Sequence, residues 1–206
     1  MEEALVIKST GLWYTLELAN GEVAQARIRG KLRLDGLSTT NPIAAGDKVY
    51  IRDEKDSEGN YLIDNVVARH NYIVRKSTNL SKQMQIMAAN IDHAYLVVTL
   101  KSPVTQLAFI DRFLVAAESF RIPTTLLFNK IDLYSEKEAG LFEVLKSIYT
   151  EIGYAVEPIS TFNSDSISFL KEEIKGKNVM ISGNSGVGKS SLVAALDPTL
   201  NLRIGE

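Results

Sequence analysis

No cysteine occurs in the 206 residues. That excludes disulfide cross-links and thiolate metal sites within the chain and fits a reducing compartment. Long apolar runs are missing too, and none approaches the roughly 20 residues needed to span a bilayer. The start, Met1-Glu2-Glu3-Ala4-Leu5, is acidic and has no basic segment before an apolar one, so it does not read as a secretory leader. The expectation is a cytoplasmic protein with no membrane partner. Nor does one sign of charge dominate, with 23 Lys and Arg against 25 Asp and Glu. Wholesale electrostatic wrapping of nucleic acid is therefore not expected, and only local basic patches remain. The two histidines, His70 and His93, have no metal-ligand neighbours in the sequence and read as structural. What is present is a hydrophobic share of 45%, which suits a globular chain with room for one large or two small domains.

The pattern changes along the chain. Residues 1–70 read as about five short strands: Leu5-Val6-Ile7, Trp13 to Leu18, Val23 to Ile28, Val49 to Arg52, and Tyr61 to Val67. Turn residues separate them, with Asn20-Gly21 the strongest hairpin cue. A small all-β barrel of the OB-fold type is the natural architecture. Residues 71–90 are polar with scattered apolar positions and read as a linker. From 91 to 206 the pattern is α/β. Ala94 to Leu100 is a continuous apolar run, expected of a strand buried on both faces. A helix is predicted over Pro103 to Phe120, then a strand over Thr124 to Phe128. Ser135 and Glu138 form a capping box for a helix reaching about Ile152. A third strand (Tyr154 to Ile159), a third helix (Ile167 to Ile174), a fourth strand (Val179 to Ser182) and a helix from Lys189 to Leu196 complete the sequence of elements.

Two motifs carry the chemistry, and their order matters. Gly183-Asn184-Ser185-Gly186-Val187-Gly188-Lys189-Ser190 is a P-loop, G-x-x-x-x-G-K-S, between a predicted strand and a predicted helix. Its glycines let backbone amides close around phosphates, the following helix presents its positive end, and Lys189 supplies a point charge. Ser190 is the expected Mg²⁺ ligand, and Ser191 continues the loop into the helix. Lys189 and Ser190 are thus the candidate catalytic residues. Asn129-Lys130-Ile131-Asp132 is an N-K-x-D tetrapeptide at the end of the second α/β strand. The Asp132 carboxylate can accept from guanine N1–H and its exocyclic amine, a donor pair adenine lacks. Asn129 can reach the opposite edge of the base and tie its loop to the P-loop, and the Lys130 stem can lie over the ring. Alone this tetrapeptide equally describes a polar strand-to-helix turn; the two motifs on strand ends reinforce each other. Ser160-Thr161, at the end of the third strand, holds the position of a loop touching guanine O6, or of a simple helix-entry turn. Base-reading before phosphate-binding reverses the usual order, so the chain reads as a circularly permuted GTPase. An ATP-using P-loop protein with a coincidental N-K-x-D is the rival.

Arg27, Arg29, Lys31 and Arg33 alternate along Arg27-Ile28-Arg29-Gly30-Lys31-Leu32-Arg33. With Trp13, Tyr14 and Tyr50 in the same region, they could form an RNA surface built on phosphate contacts and stacking; a solvated strand face fits them equally. Asp111 and Arg112 are helix neighbours that do not face each other, which suits packing or surface roles rather than catalysis. Met84 and Met87 read as packing residues.

These residues resemble the RsgA (YjeQ) GTPases, which assist late maturation of the bacterial small ribosomal subunit. The resemblance covers essentially the whole chain. It rests on Arg29 to Arg33, Ala88-Ala89-Asn90-Ile91-Asp92, Ile110-Asp111-Arg112-Phe113-Leu114 and the two motifs in permuted order. It implies an amino-terminal OB-fold that contacts ribosomal RNA, a permuted GTPase domain using GTP/GDP and Mg²⁺, and a carboxyl-terminal domain that binds Zn²⁺. The small ribosomal subunit and its rRNA are the implied partners of a monomeric protein. The chain departs from the family after Ser190. Switch I, with the histidine family members carry there, the D-x-x-G segment and the zinc ligands do not appear before Glu206. The expectation is a piece of a longer protein, with the Val179 strand left at an open sheet edge and no recognisable group to activate the attacking water. A nucleotide-gated RNA-binding module with incidental hydrolysis is the alternative function.

Overall fold

The computed structural model describes residues 1–29, 42–76 and 84–200. The chain divides into two compact units, Met1–Ile91 and Asp92–Glu206.

In the first unit, β1 (Glu2–Thr10), β2 (Trp13–Glu17), β3 (Val23–Ile28), β4 (Lys48–Lys55) and β5 (Tyr61–Val66) close into a barrel of order β1-β2-β3-β5-β4. β1 closes the ring by pairing antiparallel with β4, and β3 pairs parallel with β5. This is the OB arrangement expected from the strand pattern. Alternation puts Val6, Leu16, Ala26, Val49, Ile51 and Ile63 inside, all fully buried. Asp47 is fully buried, and its carboxylate takes Nε and a terminal nitrogen of a bidentate Arg69, each at 2.6 Å, and the Ala44 N–H at 2.8 Å. Arg69 also donates to Pro42 O at 2.8 Å.

The stretch read as a linker is different. It holds two strands, β6 (Tyr72–Lys76) and β7 (Met84–Ala89), paired antiparallel. Its hydrogen bonds return to the barrel unit. Ala89 N donates to Ala45 O at 2.9 Å and Asn90 Nδ2 to Gly46 O at 2.9 Å. Asn71 brackets Ile91, donating to its carbonyl at 2.8 Å and accepting from its N–H at 2.7 Å. The sequence around Asn90 is thus a structural clasp. Polar composition hid it because Ile73, Ile86 and Ala89 are the only strand residues there recorded as buried hydrophobics among those described.

The second unit is a sheet of four parallel strands, β8 (His93–Val98), β9 (Thr124–Phe128), β10 (Ala155–Pro158) and β11 (Val179–Ser182), in the order β10-β9-β8-β11. Helices cover both faces. Leu96, Val98, Leu126 and Phe128 pack with Ile110 and Leu114 of α1 (Leu107–Ser119) and with Phe142, Leu145 and Tyr149 of α2 (Glu136–Glu151). The alternate residues Tyr95, Val97 and Leu127 pack with Leu170 of α3 (Ser164–Glu173) and with Leu192 and Leu196 of α4 (Lys189–Leu196). Two-sided burial explains why these strands read as continuous apolar runs.

Helix α1 starts four residues later than the sequence suggests. Thr99 and Thr105 close a turn first: Thr105 Oγ1 accepts from Thr99 N at 3.0 Å, and Thr99 Oγ1 donates to Pro103 O at 2.5 Å. The capping box of α2 is present, with Ser135 N donating to Glu138 Oε2 at 2.9 Å. Asp111 accepts from the buried Tyr149 hydroxyl at 2.9 Å, which gives it a helix-packing role. Among the described residues, β11 pairs with β8 only, and no helix is long and apolar enough to cross a membrane.

Candidate functional site

The four parallel strands present their carboxyl ends at one edge, where open α/β sheets bind ligands. β9 delivers Asn129 to Asp132 there, and β11 delivers the P-loop. The two loops, distant in sequence, are hydrogen-bonded to each other. Asn129 Nδ2 donates to Val187 O at 2.9 Å, and Lys130 Nζ donates to Gly186 O at 2.8 Å and to Ser102 O at 2.6 Å. Lys130 adopts φ 63°, a left-handed conformation uncommon for a non-glycine residue and typical of functional loops.

Two glycines are required by close approach. A Cβ on Gly183 would lie 2.4 Å from Val97 O in the neighbouring strand, and one on Gly188 would lie 2.5 Å from Asn129 Nδ2. Both have positive φ, 149° and 96°. The loop Gly183 to Ser190 is therefore packed directly against the end of β8 and against the Asn129 loop. Val187 is fully buried beneath it. Asn184 is half-buried, while Ser185 and Gly186 are exposed. Lys189, in the first turn of α4, donates from Nζ to Gly183 O at 2.8 Å and Asn184 O at 2.7 Å, so its charge sits within the loop's curve. Ser190 is exposed beside it and Ser191 is half-buried.

The loop Asn129 to Asp132 is equally ordered. Asn129 is 1% exposed, and its Oδ1 is buried with no hydrogen-bond partner among the described residues. It is an acceptor for which the described protein supplies no donor, which suits a site completed by a polar ligand or water. Asp132 is exposed, and its Oδ1 accepts from Ser160 Oγ at 2.6 Å. Ile131 N to Ile159 O, at 3.4 Å, ties the same two loops by backbone. Ser160, 3% exposed, therefore meets the site through its hydroxyl, and Thr161 follows half-buried in the turn before α3. Sequence position alone assigned Ser160 a backbone role; the side-chain bond to Asp132 was not legible. The carbonyls of Ser102, Gly186 and Val187 that hold the loops leave no trace in residue identity. Tyr134 lies behind the loop, donating to Asn129 O at 3.4 Å; burial pushes its phenol up to about 12, so it stays a neutral donor.

The basic cluster of the barrel unit is partly paired. Arg27 Nε lies 2.8 Å from Asp56, and Arg29 lies 3.9 Å from Asp64, which also takes Arg52. Lys31 and Arg33 lie outside the described residues.

The chain matches two family models: the RsgA N-terminal domain over residues 3–61 and the RsgA GTPase over residues 66–206. It is 45% identical over 204 residues to a Bacteroides fragilis protein named small ribosomal subunit biogenesis GTPase RsgA, covering 99% of this chain and 65% of that one. It is 48% identical over 199 residues to a Flavobacterium johnsoniae protein of the same name, covering 96% of this chain and 61% of that one. The chain thus spans less than two thirds of these relatives' length. Among solved structures, YjeQ from Thermotoga maritima superposes with a TM-score of 0.79 at 35% identity, over 98% of this chain and 67% of that one. YloQ, described as a circularly permuted GTPase, superposes with a TM-score of 0.72 at 28% identity, over 97% of this chain and 65% of that one. A phosphate loop held against a preceding base-reading loop, an OB barrel before them, and these matches over nearly every residue lead to one conclusion: the chain belongs to the RsgA GTPase family.

Proposed function

We propose that the chain carries the guanine-nucleotide site of a GTP-hydrolysing factor that assists late maturation of the small ribosomal subunit in the cytoplasm, as a monomer. The observation that carries this reading is the lock between the loops, Asn129 Nδ2 on Val187 O and Lys130 Nζ on Gly186 O. It sets a base-reading carboxylate and a phosphate cradle in one fixed geometry. In this reading Asp132 takes the guanine N1–H and amine, held in place by Ser160. The Lys130 stem covers the ring, and Thr161 lies where a backbone amide reaches O6. The amides of Gly183 to Ser191 and the Lys189 ammonium hold the phosphates and favour in-line attack by water through electrostatics and positioning. Ser190 fits Mg²⁺, because a single exposed hydroxyl beside a phosphate loop is the sparse oxygen set that this ion completes with water and phosphate oxygens. Bound there, Mg²⁺ would neutralise phosphate charge. Zinc does not fit this chain. It has no cysteine, and no cluster of three or more potential ligands occurs among the described residues.

The barrel is proposed to contact rRNA. The Arg27 and Arg29 side chains are 43% and 51% exposed, so each guanidinium can meet a phosphate from the solvent side while its carboxylate partner lies inward. The test is GTP turnover by the complete gene product, with and without purified small ribosomal subunits, with ATP as competitor. Stimulation by the small subunit and not the large one supports the reading. Turnover indifferent to ribosomal particles removes the partner and keeps the GTPase. Competition by ATP equal to that by GTP removes the guanine assignment.

A further inference from the structure

Phe162 is 90% exposed, more than any other large hydrophobic side chain described. Exposure alone assigns no role, since scattered apolar residues are normal on surfaces. The way Phe162 is held sets it apart. Its N–H donates to Ser160 Oγ at 3.2 Å, and that same hydroxyl donates to Asp132 Oδ1 at 2.6 Å. One hydroxyl therefore fixes both the base-reading carboxylate and the backbone of the aromatic residue. On the other side, Asn163 N donates to Ser160 O at 3.1 Å, and the Asn163 side chain caps α3 by accepting from the N–H groups of Asp165 and Ser166. The ring projects from a backbone pinned before and after it.

A planar base read along its edge by Asp132 offers two faces. The Lys130 stem takes one of them, with its Nζ anchored on Ser102 O and Gly186 O between the two loops, which leaves the other face open. Tyr134, the other aromatic residue close to Asn129, is turned inward to its carbonyl.

We propose that Phe162 is a base-stacking residue of the guanine site, closing its ring over a face of the purine whose edge Asp132 reads. This rests on the guanine-nucleotide reading above. Stacking removes the exposed ring from water and adds aromatic contact with the base. Every purine presents such a face, so Phe162 raises affinity without choosing among purines, while Asp132 makes the choice.

The test is calorimetric titration of the full chain, wild type, Phe162→Ala and Phe162→Trp, with GDP and with inorganic pyrophosphate as a probe that has no base. Phe162→Ala is expected to lose about five- to 150-fold in GDP affinity, the range for removing one stacked base contact, with pyrophosphate affinity unchanged. Phe162→Trp should bind GDP at least as tightly as wild type. Its added indole emission, above the Trp13 background, should be quenched by GDP and not by pyrophosphate. Wild-type GDP affinity in Phe162→Ala, or an indole indifferent to GDP, overturns the stacking role and leaves the guanine site standing. A parallel fall in pyrophosphate affinity means the phosphate loop was disturbed and also overturns it. Absence of GDP binding in the wild type removes the guanine reading and the stacking role together.

Discussion

Replacing Asn129 by alanine should separate stability from ligand affinity. The substitution removes the Nδ2 bond to Val187 O, 2.9 Å long, and leaves that buried carbonyl without its donor. An unsatisfied buried acceptor costs about 1–3 kcal/mol. The same substitution removes Asn129 Oδ1, itself buried and unsatisfied, which returns a desolvation cost of about the same size. The two nearly cancel, so the nucleotide-free protein should change by no more than about 1 kcal/mol, a few degrees in Tm. Nucleotide affinity has no such cancellation. The variant loses a polar group of the base site and one of the two bonds setting the spacing of the loops. A loss of about 1–3 kcal/mol corresponds to roughly five- to 150-fold in Kd. Thermal unfolding without nucleotide and GDP titration by calorimetry measure the two sides. A Tm lowered by more than about 10 °C would show that the buried acceptor carried no cost. Unchanged GDP affinity would refute the role of the lock.

Further outcomes follow from individual contacts. Asp132→Asn should shift preference from guanine to xanthine nucleotides, because the amide donates where xanthine has its extra carbonyl; retained GTP selectivity in competition binding would refute base reading by Asp132. Gly183→Ala places a methyl 2.4 Å from a backbone oxygen of the central strand β8, which cannot retreat. Overpacking and left-handed strain together should cost about 2–6 kcal/mol, seen as lost GDP binding or a lowered Tm; wild-type values for both would contradict the packing. Arg69→Ala leaves the fully buried Asp47 carboxylate without its bidentate partner and should destabilise the barrel unit by about 3–5 kcal/mol in urea titration; a change under about 1 kcal/mol would show that the pair behaves as a surface one. Glu138 is held below its ordinary value by the Ser135 hydroxyl and then by the Ser135 N–H. A depressed carboxyl stabilises above its unfolded pKa, so the capping box should weaken only as pH falls from about 4.5 through that lowered value. Amide exchange at the start of α2 measures it, and insensitivity below pH 4 would contradict it.

Elements with strong local patterns were legible in the sequence. The P-loop helix begins at Lys189 as predicted, the box at Ser135 and Glu138 forms, and the five barrel strands lie where alternation and Asn20-Gly21 put them. What escaped depends on partners remote in the chain. The paired strands β6 and β7 sit in a stretch of polar composition, and their end is held by Ala45 and Gly46 carbonyls that composition cannot foretell. Arg27 and Arg29 read as an RNA surface or a solvated strand face, yet parallel pairing of β3 with β5 brings Asp64 beside Arg29, and the turn between β4 and β5 brings Asp56 beside Arg27. In the candidate site, residue types singled out Asn129, Asp132 and Lys189, and the fold brings them to one edge of the sheet. The bonds that set their spacing end on backbone oxygens, which every residue possesses, and so went unseen.

The place of β11 in the sheet has a consequence for synthesis. The strand does not join β10, made just before it, but β8, made long before: Asn178 N donates to Asp92 Oδ2 at 2.7 Å across 86 positions of chain. Closing so long a loop is entropically slow and comes after the local contacts of β8, β9 and their helices. A chain leaving its own ribosome therefore completes the base-reading half first, and the phosphate cradle is added to the edge of a sheet already laid down. On the proposed site, guanine-nucleotide affinity cannot precede the docking of β11, because the phosphate loop is carried on that strand.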